Sequence, residues 1–166
     1  MAGAITIATM ETTAFGEVAA INAECAGAVS RLREGEAASL AGQCELALTA
    51  RIDDTVTGYL YAMASGSAYA GEEFLWFAER LDCPFLYIDQ VAVAVRFRRV
   101  GIGAALYRAA EAWAGANDIE ILCCEVNRVP PNPESMAFHR TQGYRDAGKM
   151  RLSDGRRVAM LTKSTG

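Results

Sequence analysis

Histidine is almost missing from this 166-residue chain, in which His139 is the only one. The five cysteines (Cys25, Cys44, Cys83, Cys123 and Cys124) are odd in number and form no Cys-x-x-Cys. No ligand set with the spacing of a zinc site remains, so no metal is expected. An unpatterned cysteine set also argues against a disulfide framework and for a reduced, cytoplasmic protein. Proline is scarce, and three of its four residues fall within 130–133. No Pro-rich linker, low-complexity tract or repeat breaks the chain. No apolar run approaches the ~20 residues that span a bilayer. Met1 to Met10 lacks the basic start of a signal peptide, so no membrane partner is expected. Lys149 and Lys163 are the only lysines among 16 basic residues.

What is present is a globular composition. Hydrophobic residues make up 52% and charged residues 22%, which excludes a disordered chain. The length fits one domain over 1–166 with one core. Acidic residues number 20 against the 16 basic ones, a net charge of −4. That balance offers no non-specific affinity for nucleic acid, and no such partner is expected.

Periodicity orders the elements. Ala4 to Thr9 reads as a strand, followed by a helix from about Thr13 with Val18, Ile21, Cys25 and Val29 on one face. A second helix is expected over Glu36 to Gln43. Glu45 to Ile52 and Val56 to Met63 read as a hairpin across Asp53-Asp54. Glu72 to Leu81 reads as a short helix, and Phe85 to Val95 as a strand covered on both faces. An amphipathic helix with Ile102, Leu106, Ala109, Ala110 and Trp113 on one face follows, then a strand over Glu120 to Val126. Asn132-Pro133 has the chemistry of a helix start and Gly143 that of a stop. Tyr144 to Met150 and Arg157 to Thr162 close the chain as a hairpin across Ser153-Asp154-Gly155. The fold class is α/β, a mixed sheet with strand–helix–strand units in its second half.

The most informative segment runs from Val91 to Gly103, where a strand ends, a turn with Arg96, Arg98, Arg99 and Gly101 follows, and a helix begins. Unpaired N–H groups at a helix N-terminus suit phosphate, and glycine lets the backbone approach it closely. Leu106 stands where a dinucleotide fingerprint needs a small residue, and no Gly-Lys-Ser/Thr of a Walker loop is present.

Arg98-Arg-Val-Gly101-Ile-Gly103 after Val91-Ala-Val93 resembles the acyl-CoA signature of the GNAT acetyltransferases. Asn132-Pro-Glu-Ser135-Met-Ala-Phe138-His139 before Gly143-Tyr144 resembles that superfamily's closing helix and strand entry. Asn22-Ala-Glu24, Trp76-Phe77, Tyr87-Ile-Asp89, Cys124-Glu125-Val-Asn127 and Pro130-Pro-Asn-Pro133 resemble a bacterial branch of predicted acetyltransferases. The resemblance implies a fold with a splayed central pair of parallel strands and acetyl-CoA as co-substrate. It further implies direct transfer of an acetyl group to a primary amine of a small molecule or peptide.

Carried onto this chain, Val91, Ala92 and Val93 would offer backbone groups to pantetheine, and one N–H would polarise the thioester carbonyl. The backbone of Arg99, Val100, Gly101, Ile102, Gly103 and Ala104 would hold the pyrophosphate, with Arg98 at the motif's basic position. Arg96 or Arg99 would lie near the adenosine 3′-phosphate, and Asn132 and Ser135 complete the cofactor-binding set. Val95 departs from the Pro that many members carry there.

The resemblance also assigns proton transfers, because a protonated amine cannot attack. His139 occupies the position of the Tyr that many members use as general acid, and Ser135 shares its helix face. Two carboxylates are candidate bases. Asp89 shares a strand face with Tyr87, Val91 and Val93, and Glu125 shares one with Asn127. Asp89 is placed slightly ahead because its strand should touch the thioester. Buried aromatic side chains (Tyr59, Tyr61, Phe74, Trp76, Phe77) and thiols (Cys123, Cys124) read as core. A non-catalytic acyl-CoA-binding or sensing module is the alternative, and a nucleotide-phosphate binder of another fold stands further behind. An exposed strand edge allows a homodimer.

Overall fold

A computed structural model describes residues 3–166. It contains β1 (Ile5–Thr9), α1 (Phe15–Glu24), α2 (Glu34–Gln43), β2 (Leu46–Ile52), β3 (Thr55–Ala64), α3 (Glu72–Arg80) and β4 (Phe85–Val93). These are followed by α4 (Ile102–Ala116), β5 (Ile121–Val129), α5 (Pro133–Thr141), β6 (Arg145–Arg151) and β7 (Arg157–Ser164). The strands hydrogen-bond in the order β1-β2-β3-β4-β5-β7-β6. Two compact units divide the chain. One comprises the residues up to Met63 with Ile88–Trp113, the other Ala64–Tyr87 with Ala114–Gly166.

In the first unit, β1 and β3 pair antiparallel with β2 on either side. The β2–β3 turn falls at Asp53-Asp54 as the sequence suggests, with Asp53 in the left-handed region at φ 52°. Helix α1 buries Val18 and Ile21 but stops at Glu24, so Val29 lies beyond it. Gly27, at φ +91°, turns the chain where the apolar spacing suggested another helical turn. Helix α2 starts two residues ahead of the expected Glu36, because the Glu36 carboxylate accepts the Arg33 N–H at 2.7 Å and caps the first turn.

Strand β3 is buried along almost its whole length, and Gly58 on it shows why a glycine belongs there. A Cβ at Gly58 would lie 2.9 Å from the Ala92 carbonyl oxygen and 3.1 Å from Ile102 Cγ2. The backbone of β4 and the first residue of α4 pack directly on that position. Gly58→Val is therefore expected to cost about 1–3 kcal/mol or more through overpacking. Urea unfolding at fixed pH measures it.

In the second unit, β4 pairs in parallel with β5 over three positions, Phe85–Tyr87 against Ile121–Cys123. Both strands are nine residues long, so this ladder covers a third of each. β5 continues antiparallel to β7, and β7 to β6. Helix α3 brings Phe74 to 5.5 Å from the Phe85 ring and 6.0 Å from Tyr87, centroid to centroid. Its first residue, Glu72, accepts from Ser153 N at 3.0 Å and Ser153 Oγ at 2.9 Å, which ties the helix to the β6–β7 turn. Helix α5 opens as its sequence dictates. Asn132 Oδ1 accepts the Ser135 N–H at 3.2 Å, and Pro133 takes the first helical position. It closes at Gly143, φ +91°, with Tyr144 N donating to the His139 carbonyl at 3.0 Å.

Candidate active site

The turn that the sequence singles out lies in the first unit. Strand β4 ends at Val93, earlier than the expected Val95, and a short 3-10 turn spans Val95–Phe97. Arg99 has φ +64° and Gly101 φ +92°, two left-handed residues immediately before α4. Ala105 N donates to the Gly101 carbonyl at 3.0 Å, closing the first turn of the helix. The N–H groups of Ile102, Gly103 and Ala104 thus stand in the first helical turn, which has no intrahelical acceptors. Nothing lies within 4 Å of where a Cβ on Gly101 would be.

The arginines differ in their surroundings. Arg98 folds back on β4, with Nε 3.4 Å from the Val93 carbonyl and Nη2 3.4 Å from Cys25 Sγ. The Cys25 thiol also points at the Val93 carbonyl, at 3.7 Å. Arg96 lies over the Phe97 ring, 4.7 Å from its centroid. At the departure from the family pattern, the Val95 N–H donates to Glu24 Oε2 at 2.9 Å. A proline has no N–H to give, so the exchange for Val95 is matched by a partner on α1.

Along β4, Asp89, Val91 and Val93 are half-buried and alternate with buried Gln90 and Ala92, so the first three share a face as the period-two reading requires. Behind that face is a polar cluster that sequence reasoning missed. Asn22 Nδ2 donates to the Ser30 carbonyl at 2.8 Å and to the Tyr59 hydroxyl at 3.1 Å, and its Oδ1 accepts from Leu32 N at 2.7 Å. Tyr59 and Gln90 Nε2 complete it, donating to Gln90 Oε1 at 2.9 Å and to the Ser30 carbonyl at 3.1 Å. Asn22 is fully buried, although a polar position on α1 reads as a solvent-facing residue or an acceptor border. Burial pushes the Tyr59 phenol well above its ordinary value, so it stays protonated and able to donate. The only sequence signal was an Asn at an otherwise apolar helical phase.

The second unit holds the remaining candidates. The Tyr87 hydroxyl donates to Glu125 Oε2 at 2.8 Å, fixing that half-buried carboxylate. Asn127, two residues on, accepts from Arg156 Nη1 at 3.3 Å. On α5, His139 is 4% exposed, its Nδ1 2.7 Å from the Ser135 carbonyl and 3.4 Å from Ser135 Oγ. Since a carbonyl only accepts, Nδ1 carries the hydrogen. The Phe138 and Tyr144 rings stand edge-on to the imidazole at 5.4 Å. Burial lowers the His139 pKa from 6.5, partly opposed by the Ser135 carbonyl. The ring is neutral at pH 7, so its acid form is scarce there.

That shift carries a stability prediction. The folded protein binds the His139 proton less readily than the unfolded chain does, so stability rises with pH between the two values. The contribution is complete above the unfolded value of 6.5 and is lost as pH falls below it. Thermal melts are expected to decline on going from pH 7 toward 5, and His139→Gln to flatten that part of the profile.

Cys123 and Cys124 are buried, and burial drives the Cys123 thiol well above its ordinary value. Burial also pushes the Cys44 thiol up to about 12. Desolvation of this kind keeps a thiol protonated, in keeping with the reading of Cys123 as a core residue. Tyr59, Tyr61, Phe74 and Phe77 are core residues, and Trp76 is half-buried. Among the described residues no group of three or more His, Cys, Asp or Glu could hold a metal ion, and no helix is long and apolar enough to cross a membrane.

Known structures share this architecture. Ard1 from Thermoplasma volcanium aligns with a TM-score of 0.77 and 19% identity over 97% of each chain. The ribosomal-protein-S18-alanine N-acetyltransferase from Escherichia coli gives 0.74 and 17%, covering 98% of this chain and 95% of that one. Naa50 from Arabidopsis thaliana, in complex with the bisubstrate analogue CoA-Ac-MVNAL, gives 0.71 and 14%, covering 96% and 98%. No curated protein matches the sequence. The sequence model of the Acetyltransferase (GNAT) family matches residues 18–144, which run from within α1 to just past α5 and include the glycine turn, both carboxylates and His139. The chain belongs to the GNAT family of acetyltransferases.

Proposed function

We propose that the protein is an acetyl-CoA-dependent N-acetyltransferase, acting over 1–166 as a single domain on a primary amine of a small molecule or peptide. The turn at Arg99–Gly101 carries this reading, because two left-handed residues lead the chain into the unpaired first N–H groups of α4 and nothing crowds the Cβ position of Gly101. Backbone N–H groups from Arg99 to Ala104 would take the pyrophosphate, with Arg98 at the basic position and Arg96 or Arg99 near the adenosine 3′-phosphate. The backbone of Val91, Ala92 and Val93 would align the pantetheine and polarise the thioester carbonyl. Cys25 and Arg98 on the Val93 carbonyl hold that end of the strand in place.

Proton traffic falls to Glu125, Asp89 and His139. Glu125, oriented by the Tyr87 hydroxyl, would take the proton of the attacking amine, with Asp89 the other carboxylate on a candidate face. His139 would return a proton to the departing thiolate; its lowered pKa makes the protonated ring a stronger acid at lower population. Asn132 and Ser135 at the start of α5 would border the cofactor. The odd, unpatterned set of five cysteines is the ground for proposing a reducing, cytoplasmic setting. β1 is an outer strand, along whose edge a homodimer would pair.

Thiol release from acetyl-CoA across a panel of amines and peptides tests the reading, and acceptor-dependent release is expected. Tight CoA binding without release for any acceptor would leave the acyl-CoA-binding module, the reading that the neutral His139 favours.

A further inference from the structure

The sheet of the second unit carries a cationic concavity that acyl transfer leaves unexplained. Its volume is about 410 Å³, and Arg128, Lys149, Arg151 and Arg157 line it together with apolar surface from Val129, Met150 and Val158. All four cations are exposed, and among the described residues none of them is ion-paired. Arg156 stands apart, engaged by Asp154 at 2.8 Å.

The register makes this arrangement costly. Arg151 on β6 lies directly opposite Arg157 on β7, and Arg157 lies opposite Val129 on β5. Like charges facing each other across a ladder destabilise it. Charge on an outer strand discourages edge-to-edge pairing, which accounts for Lys149 and Arg151 on β6. It does not account for Arg157 or Arg128, which belong to interior strands. The chain as a whole is acidic, at −4, so four uncompensated cations around one concavity reverse its global balance.

Distance along β5 connects the concavity to the chemistry. Val129 is four residues beyond Glu125, about 13 Å at ~3.3 Å per residue. An extended peptide covers that span in about four residues. No aromatic residue lines the concavity on which a nucleobase could stack. The apolar surface between the cations suits the methylenes of Asp and Glu side chains.

We infer that the concavity binds acidic side chains of a peptide acceptor, about four residues from the amine that is acetylated. The spacing rests on the proposed acetyl-transfer reading with Glu125 at the amine, whereas recognition of carboxylates by the four cations does not. Fluorescence anisotropy on the full chain saturated with CoA tests it, using C-terminally labelled, amidated peptides with Glu, Gln or Lys at about the fourth and fifth positions. The Glu peptide is expected to bind roughly tenfold tighter than the Gln peptide, with the Lys peptide weakest. That advantage should shrink as salt rises above ~0.15 M.

Arg151→Gln combined with Arg157→Gln, which removes the opposed charges, should abolish the advantage while CoA affinity stays within about twofold. Arg151→Glu with Arg157→Glu should reverse it toward the Lys peptide. Equal binding of Glu and Gln peptides would overturn the inference, as would tighter binding of tripolyphosphate or an RNA oligonucleotide lost in the same variants. A peptide that binds by charge but is never acetylated would remove the proposed function and keep the surface. Acetylation indifferent to peptide charge would do the opposite.

Discussion

Glu125→Gln is expected to lower kcat by about two orders of magnitude or more, the usual worth of a positioned general base, with little change in the KM for acetyl-CoA. Its carboxylate receives the Tyr87 hydroxyl at 2.8 Å, which fixes the orientation of a half-buried group. Gln keeps the size and the ability to accept that hydrogen bond but cannot take a proton. Tyr87→Phe keeps the carboxylate and loses its orientation, so a smaller fall, about tenfold, is expected. Sequence alone favours Asp89 slightly, because its strand should touch the thioester. The Tyr87 bond moves Glu125 forward, and Asp89→Asn is expected to have the smaller effect on kcat. Steady-state kinetics on the three variants decide the order. A large loss in Asp89→Asn beside a near-normal Glu125→Gln would give the role of base to Asp89.

Gly101→Val is expected to raise the KM for acetyl-CoA at least tenfold and to weaken CoA binding equally in calorimetry. The cause is conformational, because the space where the new Cβ would sit is open. A φ of +92° suits glycine, and a β-branched residue held there costs roughly 1–3 kcal/mol. The chain relieves that strain by rotating the turn, which redirects the first N–H groups of α4 away from a bound phosphate. Gly115→Ala in the same helix supplies the control. Nothing lies within 4 Å of its Cβ position and its φ is not left-handed, so it should stabilise the helix by about 0.5–1 kcal/mol and leave CoA affinity alone. Unchanged CoA affinity in a folded Gly101→Val protein would remove the phosphate site from this turn.

Local chemistry made much of the fold legible. Asn132, Pro133 and Gly143 define α5 through a side-chain cap, a fixed φ and a left-handed stop, all set by adjacent residues. The β2–β3 and β6–β7 hairpins follow from their turn residues in the same way. Apolar spacing outruns its helix at one place, the end of α1. Cys25 and Val29 continue the phase of Val18 and Ile21, but Gly27 turns the chain and Cys25 goes to the Val93 carbonyl instead.

The site divides along the same line. The glycine turn is contiguous in sequence and was readable, whereas the Tyr87–Glu125 bond joins residues 38 positions apart and depends on strand pairing. The four cations of β5, β6 and β7 converge only because of the β6–β7–β5 register. In sequence, Arg128 and Arg157 are unremarkable charges among 16.

The buried amide cluster behind β4 bears on how this chain tolerates change. Asn22, Tyr59 and Gln90 each satisfy the others, and together they hold the Ser30–Leu32 segment. Removing one leaves the rest with unmet polar groups at buried positions, so the first loss carries most of the penalty and the next adds little. The three positions therefore behave as one heritable character. A sequence that replaces Asn22 alone pulls against its own Tyr59 and Gln90, while one that replaces all three with matched apolar residues has a short path back to stability and a freed loop beside β4.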